Sequence, residues 1–196
     1  LWWNLLSEEP TWSEIPMKQL RDAVLVAVII LAVGSSLVVA ETTAAIRIDG
    51  DFSDWQALRL GPALTDPRGD LAEGFDQGDV NAVFRTEDDS NLYFLIEFNA
   101  APPLPPTITR LWLDLNLDGE IAGADVQLDV VGNELRVQRM GEPSAGYLDV
   151  RGRARASGNA IEVAVNRSDL EISGRYRVSA AVLAVIDGSL VWADFV

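Results

Sequence analysis

An all-β fold, a two-sheet antiparallel β-sandwich, is the class this sequence predicts, and three observations predict it. After Glu41 almost every apolar pattern repeats with period two, the spacing that puts alternate side chains on opposite faces of a strand. Clusters of turn-forming residues separate these runs. The runs are short and follow one another closely, the arrangement of a sandwich rather than of a βαβ fold.

Taken in order, "NLYFLIEF" places Leu92, Phe94, Ile96 and Phe98 on one face. "APPLPP" follows as an extended connection, because its prolines supply no ladder donors. "TITRLWL" is β-branched and aromatic and reads as a strand. "DVQLDV" alternates Val126, Leu128 and Val130 with Gln127 and Asp129, and "ELRVQ" continues with Leu135 and Val137. "AIEVAV" repeats the pattern with Ile161, Val163 and Val165, and "YRVSAAVLAVI" is a long strand. Turns are predicted at Asp89 to Asn91, Val131 to Asn133, Ser157 to Asn159, and Asp187 with Gly188. The one helical turn predicted is at "NRSDLEI", with Ser168 as its N-cap.

A hydrophobic leader helix is expected ahead of the sandwich. From Met17, Lys18 and Arg21 form a positive start, an apolar run follows from Ala23, and Val38 and Ala40 are small residues at −3 and −1 of a cleavage site. Residues 17–40 therefore read as a secretory signal peptide, and the sandwich as residues 41–196. The run is also just long enough for a retained membrane anchor, so a membrane-anchored domain facing outward is the alternative. Residues 1–16 read as an upstream extension ahead of the working start at Met17.

Composition excludes several chemistries. The chain has neither cysteine nor histidine, so disulfides, thiolate metal sites, a Ser-His-Asp triad and the usual zinc and haem ligands are absent. The net charge of −15 argues against nucleic acid as a partner, because phosphate binding needs a basic face. A carboxylate-only hydrolase remains an option, since the spatial separation of paired carboxylates cannot be read from their order.

"WLDLNLDGEIAGAD" has calcium-loop spacing. Asp114, Asn116 and Asp118 occupy positions 1, 3 and 5, Gly119 occupies 6, Ile121 occupies 8, and Asp125 occupies 12. Glu120 is a further oxygen donor in the loop. Position 9 is Ala122, which has no side-chain oxygen, and Asp125 is shorter than the usual glutamate. The β-like flanks make this a loop between two strands, either a calcium-stiffened hairpin or an ordinary Asx-rich turn.

"IRIDGDFSDW" resembles the opening of family 9 carbohydrate-binding modules and the related DOMON-like sandwiches. "DVNAVFRTEDDSNLYFLIEF", "LWLDLNLDGEIAGADVQLDV" and "GNAIEVAVNRSDLEI" resemble later segments of that family in the same order, with Asn166 in place of a usual proline. The resemblance covers nearly all of Ala45 to Val196. It implies a jelly-roll-like sandwich without chemistry of its own, secreted to the cell exterior or the periplasm, with calcium in some members. Catalytic domains or surface proteins are then its neighbours, and a polysaccharide or oligosaccharide its ligand.

Sugar rings stack on exposed aromatics while polar groups bond their hydroxyls. Trp112 and Arg110 share the polar face of their strand, opposite Leu111 and Leu113, and are the leading candidates. Trp192 and Tyr93 complete the set. Trp55 is expected to pack in the core or at its edge, and Asp54 to bond local backbone amides. A surface or envelope spacer domain without sugar binding is the competing reading.

Overall fold

The computed structural model describes residues 45–66, 69–72, 75, 77–102, 107–119, 126–140, 146–186 and 189–196. The upstream segment 1–16, the leader 17–40 and its expected helix, most of the "APPLPP" connection, Glu120, Asp125 and the Asp187–Gly188 turn lie outside the described residues.

Among the described residues, ten strands form two antiparallel sheets of five. The strands are β1 (Leu64–Thr65), β2 (Val80–Glu87), β3 (Asn91–Phe98), β4 (Ile108–Asp114), β5 (Val126–Val131), β6 (Glu134–Arg139), β7 (Gly152–Ser157), β8 (Ala160–Asn166), β9 (Arg177–Ile186) and β10 (Ser189–Phe195). The first sheet has the order β1-β2-β3-β8-β7, and the second β10-β9-β4-β5-β6. A short helix, α1 (Ser53–Leu58), precedes β1. Among the described residues no helix is long and apolar enough to cross a membrane.

The two sheets bury one core between them. Leu92, Phe94 and Ile96 of β3 and Val163 and Val165 of β8 meet Leu111 and Leu113 of β4 and Val126 and Leu128 of β5 in a single cluster. These are the apolar faces that the alternation marks, and their burial is the dominant stabilising term. Ala160–Asn166 is buried along its whole length, polar face included.

The reason is a second, smaller cluster on the outer face of the first sheet. Ile46, Ile48 and Trp55 of the opening segment pack there on Tyr93, Leu95 and Ala164. Beneath them sits Glu162, whose side chain is fully enclosed. Its Oε2 accepts the N–H groups of Asp49 (3.1 Å) and Gly50 (2.8 Å), and its Oε1 accepts Trp55 Nε1 (3.0 Å). Gly50 has φ +88°, the left-handed region open to glycine, and this turns its N–H toward Glu162. Asp54 Oδ2 accepts the N–H of Arg47 (2.7 Å) and its Oδ1 that of Trp55 (2.8 Å), as expected.

The helix expectation needs correcting. Residues 167–171 form hydrogen-bonded turns, and the capping side chain is Asn166 rather than Ser168. Asn166 Oδ1 accepts from the Ser168 N–H (3.1 Å), the Ser168 hydroxyl (2.6 Å) and the Asp169 N–H (3.3 Å). The helix found among the described residues, α1, is six residues long. That is too short to leave a periodic signal, and it is held by the burial of Trp55 rather than by propensity.

Candidate ligand-binding face

The candidate site is the outer face of the second sheet, and β4 builds it. Leu111 and Leu113 enter the core, so Arg110 and Trp112 point the other way. Register with β5 sets Asp129 opposite Arg110 and Gln127 opposite Trp112. Arg110 grips Asp129 with both arms of its guanidinium, Nε to Oδ1 at 2.6 Å and Nη2 to Oδ2 at 2.8 Å. Gln127 Nε2 donates to the same carboxylate at 3.0 Å. Such a bidentate pair is geometrically fixed and gives the face a rigid polar row.

Aromatic rings adjoin that row. The Arg110 guanidinium carbon lies 5.6 Å from the Trp112 ring centroid, within cation–π range. Trp112 stacks on Trp192 with centroids 5.6 Å apart and planes 27° apart. Phe195 closes the group, 6.3 Å from Trp112 and 5.7 Å from Trp192. Strict alternation would send Trp192 and Phe195 to opposite faces. A register shift between Trp192 and Asp194 brings them together, since a bulge inserts one extra residue.

The expected residues part company here. Trp112 faces outward but is only 4 % exposed, covered by its neighbours, so it supports the platform instead of offering its own ring. Trp192 is 47 % exposed and presents the ring, with Phe195 and Leu190 also exposed. Tyr93 belongs to neither: it is buried on the first sheet under the opening segment, with its hydroxyl donated to Asp88 Oδ2 at 2.7 Å. A half-apolar, half-polar ring beside a turn fits either position, and the covering segment decided. Sequence reasoning missed Asp129, Gln127 and Phe195. The first two stand on the polar face of "DVQLDV", but their partners depend on register, and Phe195 depends on the bulge.

Asp114 and its loop lie at the far end of β4. Asp114 Oδ1 accepts the Leu117 N–H (2.6 Å) and Oδ2 accepts that of Gly119 (3.0 Å). Asn116 Nδ2 donates to Asp118 Oδ2 (2.9 Å), and the Asp118 N–H donates back to Asn116 Oδ1 (3.0 Å). The described half of the loop is thus a hydrogen-bonded Asx turn that draws Asp114, Asn116 and Asp118 together. Arg177 sits beside it: a Cβ at Gly119 would lie 3.0 Å from Arg177 Nη1. An open groove of about 930 Å³ borders this end and is lined by Arg85, Arg167, Arg175 and Arg177 with Glu87 and Tyr176. Its excess of guanidinium groups suits an anionic group.

No family model, curated protein or solved structure matches this chain. The resemblance to carbohydrate-binding modules therefore rests on the quoted motifs alone.

Proposed function

We propose that this chain is a secreted, non-catalytic, jelly-roll-like carbohydrate-binding module. One observation carries the reading: an exposed indole, Trp192, is stacked on Trp112 on the outer sheet face, next to the Arg110–Asp129–Gln127 row. A pyranose offers an apolar face to such a ring and hydroxyls to the polar groups around it. Because the ring and the row are already ordered, binding would lose little conformational entropy. The partner is a polysaccharide or oligosaccharide, and catalytic domains or surface proteins are the expected neighbours. A structural calcium ion belongs to the same reading, as a brace for a chain without cysteine. The leader would direct the domain outward, free if cleaved and membrane-anchored if retained.

A structural spacer is the second reading, and the burial of Trp55 and Trp112 is the observation that favours it. Retention on insoluble polysaccharides, followed by a glycan array, separates the two. Trp192→Ala should abolish retention while the melting temperature stays within a few degrees of wild type. If the wild-type chain is retained by no glycan, the spacer reading replaces the first.

A further inference from the structure

A second carboxylate cluster lies away from both the aromatic face and the Asp114 loop. Asp66 directly follows β1, Asp70 lies in the loop beyond it, and Asp194 is in β10 of the other sheet. One carboxylate oxygen from each lies within 4.8 Å of the others. Ligand oxygens sit about 2.3–2.6 Å from a calcium ion, so oxygens sharing one ion are separated by at most about 5 Å. The spacing is that of a coordination shell.

Unsatisfied oxygens supply the independent observation. Asp79 stands immediately before β2 and is only 9 % exposed, yet its Oδ1 has no hydrogen-bond partner. Asp66 Oδ2 is buried and unpartnered as well. Asp79 adjoins the cluster through its own bond and that of its chain neighbour. Its Oδ2 accepts the N–H of Gly69, next to Asp70, at 2.9 Å. The N–H of Val80, next to Asp79, donates to Asp194 Oδ2 at 2.7 Å. Buried oxygens of this kind are rare, because each forfeits its hydration without compensation. Among the described residues no ion pair reaches any of the four carboxylates. Arg68, in the same loop, lies outside the described residues.

A cation bound among these carboxylates would offset their mutual repulsion.

We propose that Asp66, Asp70 and Asp194, backed by Asp79, hold a hard divalent cation of the calcium class. All the ligands are oxygens, as such an ion requires, and the exposed Asp70 leaves one side open to water. The ion joins the entrance of the first sheet to β10 of the second. Asp194 lies between Trp192 and Phe195 at the register shift, so the same ion pins the strand that carries the aromatic platform. The inference rests on the calcium part of the proposed function and gives that ion a place apart from the Asp114 loop.

Calcium titration of the metal-stripped chain by calorimetry, with melting curves in excess calcium and excess chelator, tests the site. Calcium should bind and raise the melting temperature of wild type. Asp70→Asn, at an exposed position that leaves the fold intact, should weaken binding at least roughly tenfold, whereas Asp114→Asn should leave it unchanged. If Asp114→Asn removes the effect and Asp70→Asn does not, the ion belongs to the Asp114 loop: this site falls and the calcium reading stands. If calcium neither binds nor stabilises wild type, both fall. In that case a stabilising Asp66→Asn would identify a proton shared among the carboxylates, and a destabilising Arg68→Gln would identify an arginine as the compensating charge.

Discussion

Glu162 is enclosed on every side and still carries a carboxylate, because three N–H donors converge on it. Burial pushes its carboxyl above the usual range, and the bonds from Gly50 and Trp55 pull it back. Glutamine has the same shape but only one acceptor oxygen, so Glu162→Gln must leave either Trp55 Nε1 or the Asp49 and Gly50 amides facing another donor. The expected loss is about 1–3 kcal/mol in denaturant unfolding. The two platform tryptophans should also separate cleanly. Trp112→Ala removes an enclosed ring and should cost about 3–5 kcal/mol. Trp192→Ala removes a half-exposed one and should cost about 1 kcal/mol or less. Equal losses in urea unfolding would show that Trp192 is as structural as its neighbour.

At the scale of elements, β10 illustrates how one extra residue re-aims a strand. Without the shift near Ala193, Phe195 would face the core and Asp194 would face water. With it, Ala193 packs in the core, Asp194 reaches Val80, and Phe195 joins the aromatic face. The turn after β8 is held differently, by a clamp onto the residue that leads into β7. Arg151 donates to both oxygens of Asp169, Nη2 to Oδ1 at 2.7 Å and Nε to Oδ2 at 3.0 Å, and its own N–H bonds Oδ2 at 2.8 Å. These bonds to Arg151 hold Asp169 down at about 2, against 3.8 for a free carboxyl. Since the folded state binds this proton less readily than the unfolded chain, the clamp contributes fully above about pH 4 and is lost as pH falls toward about 2. The stability difference between wild type and Asp169→Asn should therefore shrink across that interval. A difference that stays constant in pH-dependent melting would remove the ion pair as its cause.

Over the whole molecule, a net charge of −15 with no disulfide leaves the sandwich dependent on its core against self-repulsion. Raising monovalent salt from about 10 mM to about 150 mM shortens the screening length from about 30 Å to about 8 Å. The melting temperature should rise over that range in the presence of chelator. A flat response would mean that local pairs such as Arg110–Asp129 already offset the repulsion. Calcium should act on top of this screening and at far lower concentration, because it binds a site rather than a field.

The sequence by itself determined β3 to β6, β8 and β9, their inward faces and most turns, whereas β1, β2, β7 and β10 carry too little apolar alternation to be read alone. Alternation is a local property, and "NLYFLIEF" or "DVQLDV" carries it whatever lies opposite. It also determined that Arg110 and Trp112 share the outward face of β4, since Leu111 and Leu113 claim the core. Only the tertiary structure decided what covers those faces. The opening segment buries Tyr93 by folding across β3, and the register shift in β10 lays Trp192 and Phe195 over Trp112. Asp66, Asp70 and Asp194 are separated by up to most of the domain in sequence and meet because the ends of β1 and β10 lie together, beside the start of β2. Burial, register and convergence depend on contacts between distant segments, and no periodicity along the chain records them.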